Sequence, residues 1–453
     1  MDGSVISSGS NLTRNLAERA VAVTCENLPA EVRELARQCV LDYLGVGLAG
    51  AGDELVRILL DEASETGGAA QAGVIGHAAR LPALSAALVN GAIAHALDYD
   101  DVNLAMPGHP SVAILPALLA LAEEKQASGK AVIAAFVAGY ETCCRVGMAL
   151  RPGHYTRGFH ATGTVGAFGA AAACAHLLGL DAEATGRALG IAGTQSAGLK
   201  SQFGTMCKPF HAGKAAQNGL LAARLAARGF SSRPDLIECE QGFAATHAPE
   251  FHPEKALAEP QRGFHIFNNL FKYHAACYMT HAPIECGRQL RDQGVAAADI
   301  AAIRLKLHQA TDKVCNIAAP ADGLEAKFSL RQTVAMALSG VDTASLGAYS
   351  VATATDPALV ALRERVDFDF RDDLPEAGAE VEVELRDGRK ARATFDAGIP
   401  MADIAAQGRR LAEKFDALAA PVLGAARARE LREAVAGLDA LADIGGLAKL
   451  AAQ

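Results

Sequence analysis

Three short segments concentrate the side chains of this chain that can move protons: HALDYDD at 95–101, GHYTRGFHATGT at 153–164 and KSQFGTMCKPFHAGK at 200–214. The first is acidic. The other two lie between Thr142 and Pro234, a stretch with ten Lys and Arg residues and only two carboxylates, Asp181 and Glu183, in a chain of formal net charge −9. Carboxylates and imidazoles facing a cationic lobe can bind a small multivalent acid and shift its protons.

His95 and Asp98 are three residues apart, which predicts one shared face on the last turn of a helix. A carboxylate at a helix C-terminus meets the negative end of the dipole. Asp98 therefore needs a cationic or hydrogen-bonding partner, and Lys208 or a histidine is the candidate. Asp100 and Asp101 are expected in a solvated loop. His109 in GHPS stands directly before Pro110 at a predicted helix start, beside free backbone N–H groups that suit a carboxylate, and is a candidate acid or base.

In GHYTRGFHATGT the candidates are Tyr155, Arg157 and His160, with the amides around Gly163 and Thr164 available to a substrate carboxylate. Lys208 precedes Pro209 on a segment expected to be irregular; there it can pair with substrate or carry a proton. Cys207 is expected to pack. A competing reading groups His95, Asp98, Asp100 and His109 as iron or zinc ligands, but the cationic surroundings oppose it, so no metal is expected.

These segments must be held by a scaffold, and the periodicity says which. Between residues 12 and 260 apolar residues recur at three-and-four spacing, predicting helices at Leu28–Val46, Leu81–Leu97, Ser111–Ala127, Gly129–Leu150, Thr164–Leu178, Asp181–Gln195 and Gly213–Ala227. After about residue 270 the pattern changes. IAAIRLKLH at 300–308 alternates like a strand, EVEVELRDGRKARATF at 380–395 reads as a hairpin turning at Asp387-Gly388, and Leu330–Leu338 and Asp356–Val366 read as helices. The expected fold is mainly α: a large all-helical domain from residues 1–268 and 401–453, with a smaller α+β lid domain, 269–400, inserted between its parts.

Composition narrows the function. The chain of 453 residues is 51% hydrophobic and 21% charged, has no Trp, and is acidic overall. That argues against nucleic acid or an anionic membrane as partner. Ten scattered cysteines without a CxxC spacing, an N-terminus without signal-peptide features, and no run of eighteen apolar residues predict a reduced, cytoplasmic protein that does not span a membrane.

HALDYDD, GHPS, GFHATGTVGAFGAAAA and KPFHAGKAAQNG together resemble the MmgE/PrpD family, from about residue 12 to residue 400, and in the family's order. That family includes 2-methylcitrate dehydratase, cis-aconitate decarboxylase and iminodisuccinate epimerase. The resemblance implies a homodimer, no cofactor and a small polycarboxylate substrate. Carried over by position, the active-site residues it implies are Asp98, His109, His160, Lys208 and, in FKYHAACYMTH, Lys272.

Two positions depart from the decarboxylase pattern: Val102 stands where a threonine is expected and Gln332 where a tyrosine is expected. Conversely GHY, FGTMCKP and EAKFS look like the epimerase, in which Tyr155 and Lys208 would handle protons. The expected function is a cofactor-independent lyase, a dehydratase or decarboxylase that removes a proton alpha to a carboxylate; the alternative is an epimerase of the iminodisuccinate type, and a metal-dependent hydro-lyase comes third.

Overall fold

A computed structural model describes residues 11–453. The chain divides into two units, one made of the residues up to Phe271 together with Met401–Gln453, the other of Lys272–Pro400.

The first unit is built from α1 (Leu12–Val21), α2 (Ala30–Gly50), α3 (Glu54–Thr66), a short hairpin of β1 (Ala72–Val74) and β2 (His77–Leu81), α4 (Ala83–His95), α5 (Pro110–Lys125), α6 (Gly129–Leu150), α7 (Gly153–Thr156), α8 (Ala161–Leu177), α9 (Ala182–Gly193) and α10 (Cys207–Ala227). Its C-terminal contribution includes helices Ile404–Leu423 and Ala425–Ala436. Side chains mark where several helices begin: Ser128, Asp181 and Asp403 each accept the backbone N–H three residues on.

Helices α2, α4, α5, α6, α8 and α10 contribute much of the core. Along α8, ATGTVGAFGAAAACAHL, every residue from Ala161 to Ala175 is buried, and small side chains let α5, α8 and α10 meet at Ala113, Ala167 and Ala215. Helix α6 is long and apolar enough to cross a membrane, with mean hydropathy 1.3, yet 89% of that window is buried in the protein; it is a core helix. Where α4 crosses α10 the backbones touch: a Cβ on Gly213 would lie 2.1 Å from the Leu88 carbonyl oxygen, and one on Gly91 would lie 2.7 Å from Gly213 Cα.

Periodicity missed three things here. The β1/β2 hairpin falls in a region read as helical, and its strands are only three and five residues long. Helix α10 begins at Cys207, six residues before the expected start, so Lys208 sits in a helical first turn and not on an irregular segment. Pro209 is accommodated there because N–H groups of the first turn have no helical acceptor. Cys207 is exposed, not packed.

The second unit is α+β. Four strands lie in the order β4 (Val366–Arg371), β3 (Ile300–His308), β5 (Gly378–Leu385), β6 (Lys390–Asp396). Strand β3 pairs parallel with β4, Leu305 opposite Phe368, and antiparallel with β5, Leu305 opposite Val381. Ile303, Leu305 and Leu307 are buried and Arg304 is exposed, the alternation of a one-faced sheet. The β5/β6 turn carries Gly388 at φ 85°, as Asp-Gly predicts. Strand β4 was missed: the segment 356–366 was read as one helix, but Pro357–Arg363 is helical and the chain then extends.

Candidate active site

Helix α4 stops at His95, and Asp98 takes a left-handed backbone at φ 51°. That turn, one Asp tolerates better than most side chains, takes Asp98 off the helix, so the two residues share no helical face although their side chains stay close. His95 pairs instead with Asp100: its Nδ1 lies 2.9 Å and 3.0 Å from the two carboxylate oxygens.

Asp100 and Asp101 are both 1% exposed, so the solvated loop expected at these positions is not found. The segment is held inward by buried polar partners. Lys414, from the helix Ile404–Leu423, binds Asp42 on α2 at 2.7 Å and the Tyr99 carbonyl at 2.8 Å. The Ser111 hydroxyl donates to Asp101 at 2.5 Å, and Asn103 donates to Tyr140 Oη and the His265 carbonyl.

Two histidines occupy helix N-cap positions, His109 on α5 and His160 on α8, and Lys208 lies in the first turn of α10. They converge around His95. Its ring centroid is 4.6 Å from that of His109 and 5.8 Å from that of His160. His109 Nδ1 is 2.9 Å from Asp100 Oδ2 and its Nε2 is 3.6 Å from Asp98 Oδ1. Lys208 Nζ is 2.8 Å from the same Asp98 oxygen. The positive ends of three helices thus meet at one cluster, a setting that favours an anion.

The electrostatics follow from burial and neighbours. Burial lowers His95 to about 4, with His109 adding to the effect and Asp100 opposing it. Burial, then His95, Lys208 and His109, hold His160 well below its usual value. Burial alone would raise Asp100, but His109 and His95 on its oxygens outweigh it and keep the carboxyl well below the usual range. Asp101 is pushed up to about 7 by burial, with Asp42 and Asp100 adding to it. Asp100 is therefore favoured as an anion beside two imidazoles, while burial pushes its neighbour Asp101 toward the protonated form.

Asp98, His109, His160 and Lys208 come together. The Tyr155 ring sits under Lys200, whose Nζ is 3.6 Å from the ring centroid. Arg157 is exposed after α7. Thr164 is fully buried, its hydroxyl between His154 Nε2 at 2.7 Å and the His160 carbonyl, and its amide and that of Gly163 bond the same carbonyl. None of these three Thr164 and Gly163 groups is left for a substrate carboxylate. Lys272 opens the second unit and is 1% exposed. Gln332, also in the second unit, is fully buried between Arg363 and the Thr353 carbonyl. Val102 lies on a backbone bridge to Leu270.

Sequence reasoning missed the inward role of Asp100, the Lys414–Asp42 anchor and His211, whose Nδ1 is 3.1 Å from His160 Nδ1. The signal for His211 was present, since KPFHAGK places it three residues after Lys208 on one helical face.

His95, Asp98, Asp100 and His109 each place one ligand atom within 4.8 Å of the others, a donor set that suits zinc or iron. Their own bonds compete with an ion: Asp98 is held by Lys208, and Asp100 by two imidazoles. The arrangement as built is suited to proton transfer beside a bound anion.

The chain resembles known proteins over most of its length. The MmgE/PrpD N-terminal domain matches residues 14–256 and the MmgE/PrpD C-terminal domain matches residues 274–440. The chain is 28% identical to cis-aconitate decarboxylase of Aspergillus terreus, over 97% of this chain and 96% of that protein. It is 32% identical to cis-aconitate decarboxylase of Homo sapiens over 52% of this chain and 50% of that protein, and 30% identical to that of Mus musculus over 54% and 51%. The chain belongs to the MmgE/PrpD family and is an enzyme of the lyase type.

Proposed function

We propose that the chain is a cofactor-independent lyase, a decarboxylase or dehydratase, acting on a small di- or tricarboxylic acid next to one of its carboxylates. One observation carries the reading: Lys208, Asp98, His109 and His160 meet where three helices begin, with Asp100 orienting His109 from behind. Cis-aconitate, the substrate in the names of the Aspergillus, human and mouse relatives, is the first compound to test.

His109 has a carboxylate oxygen near each ring nitrogen, at 3.6 Å and 2.9 Å, an arrangement that orients the ring and suits it to give a proton. His160 faces Lys208, His95 and His211, is held neutral, and is suited to take one. In a decarboxylation the bond to one carboxylate breaks, carbon dioxide leaves, and the electron pair left on carbon takes the His109 proton. In a dehydration His160 removes the alpha proton, His109 protonates the departing hydroxyl, and water leaves the new alkene.

A positioned acid or base contributes about 10²–10⁴-fold. Stabilisation of the developing negative charge by Lys208 and the helix N-termini supplies a further ~10²–10³-fold for a well-placed donor. The epimerase alternative needs Tyr155 and Lys208 to act on opposite faces of the substrate. Each has another partner here, Lys200 over Tyr155 and Asp98 beside Lys208, so the lyase reading is the better supported.

The test is incubation of the full-length protein with a panel of small di- and tricarboxylates in heavy water, followed by proton NMR and carbon dioxide measurement. Release of carbon dioxide, or a new alkene, with deuterium in the product or recovered substrate supports the reading. Inversion of a stereocentre without bond cleavage would replace it with the epimerase, and loss of all turnover after exhaustive chelation would replace it with the metal enzyme.

A further inference from the structure

His211 lies on α10 one turn after Lys208, half-buried, and its Nδ1 is 3.1 Å from Nδ1 of His160. Two imidazole nitrogens at that distance hold one proton between them, since one must donate and the other accept. The close approach is shaped by two glycines. A Cβ on Gly163 would lie 3.0 Å from His211 Cβ, and one on Gly198, whose φ is 151°, would lie 3.4 Å from His211 Cγ and 3.5 Å from the His160 carbonyl oxygen. The His160 ring is further fixed by Phe203, edge-on at 5.0 Å, and by His95, stacked at 5.8 Å.

We propose that His211 is a positioning residue that sets the tautomer of His160: His160 Nδ1–H donates to the bare Nδ1 of His211, which leaves His160 Nε2 unprotonated and available to a substrate proton. This rests on His160 acting as the base. With Nδ1 committed to His211, Nε2 is the nitrogen left for chemistry. The proton balance is simple. When Nε2 takes the alpha proton, Nδ1–H passes to His211 Nδ1, and His211 releases its own Nε2–H outward; the reverse sequence resets the pair.

The charged and titratable groups around the pair favour this sharing over two separate cations. Lys208, His95 and His109 act on His160, and Lys208 acts on His211; each disfavours a positive ring. Adding one proton to the pair is therefore felt by both rings, and the outer, half-buried ring is the one that can pass it to water.

The test uses full-length protein labelled with ¹⁵N-histidine, with ring nitrogens read by long-range proton–nitrogen NMR at pH 7. The expected spectrum shows His160 protonated at Nδ1 only. His211→Phe, which keeps the ring shape without nitrogen, should lower kcat about 10–100-fold with little change in KM, the usual cost of losing a residue that orients an active imidazole. It should also move His160 toward the Nε2–H form and shift the pH profile of kcat. His211→Asn, whose side-chain amide reaches the place of Nδ1, should restore most of kcat.

A wild-type His160 protonated at Nε2 overturns the proposal without any variant, even if His211→Phe fails to fold. So does an unchanged kcat and pH profile in His211→Phe. Full activity in His160→Gln would instead overturn the role of His160 as base, while the tautomer measured in the wild type still decides the pairing itself.

Discussion

Lys208 Nζ and His109 Nε2 share one oxygen of Asp98, at 2.8 Å and 3.6 Å, so a single carboxylate ties the cation of α10 to the imidazole that opens α5. Both charges of the Asp98–Lys208 pair are mostly shielded, at 22% and 13% side-chain exposure. Lys208→Ala should reduce turnover at least ~10²-fold through loss of charge stabilisation. It should cost about 1–3 kcal/mol in stability, because it strips a shielded carboxylate of its charged partner. Turnover within tenfold of wild type, with a normal urea midpoint, contradicts the assignment.

Asp100→Asn keeps shape but removes the anion that bonds His95 and lies 2.9 Å from His109 Nδ1. We expect a fall in kcat of roughly 10²–10⁴-fold with KM within a few-fold, since the imidazole is misoriented and not the substrate. Steady-state kinetics at saturating substrate decide it. A change confined to KM would make Asp100 part of the binding surface.

Tyr155→Phe removes one oxygen from a ring covered by Lys200. For a lyase most of the turnover should persist, within about fivefold, because the groups proposed to handle protons are His109 and His160. Loss of activity beyond ~10²-fold, together with measurable racemisation in the wild type, would restore the epimerase.

Stability should fall on acidification, and the sign follows from the buried groups. His95, His154 and His265 are lowered to about 4 by burial, and His160 lies well below its usual value. Each binds its proton first in the unfolded chain, so its contribution is present above about 6.5 and lost as pH drops toward 4. Asp101 and Glu141, both raised to about 7 by burial, act oppositely: their contribution is complete below about 4 and lost as pH rises through 7. The lowered imidazoles, His211 and His247 among them, outnumber the raised carboxyls Asp101, Glu141 and Glu238. The urea midpoint should therefore decrease from pH 6.5 to 4.5, and Asp101→Asn should steepen that decrease by removing an opposing group.

What the sequence reveals of this molecule depends on whether the signal is local. Helices with long apolar repeats were legible to within a few residues, and α6 was read with its true limits, Gly129 and Leu150. The hairpin at 72–81 and strand β4 were not, because short strands carry too few residues to show a period. At the site, Lys208 as partner of Asp98 was legible because an acid at a helix end needs a cation. The burial of Asp100 and Asp101 was not, because it depends on Lys414, more than three hundred residues away in the chain. Nor was the start of α10, where proline read as a breaker is tolerated in the first turn.

The contact of Gly91 with Gly213 works as a gauge for the active site. Asp98 is seven residues beyond Gly91 and Lys208 five residues before Gly213, so the gap between the two charges is referenced to main chain resting on main chain. Side chains at a crossing can repack and absorb a change, whereas peptide atoms in contact cannot. A methyl group at either glycine carries no charge and touches no substrate, yet it would pry the two helices apart and open space for water between Lys208 and Asp98. The charge pairing at the candidate site is thereby exposed to purely steric substitutions deep in the bundle, at positions where loss of activity should precede loss of fold.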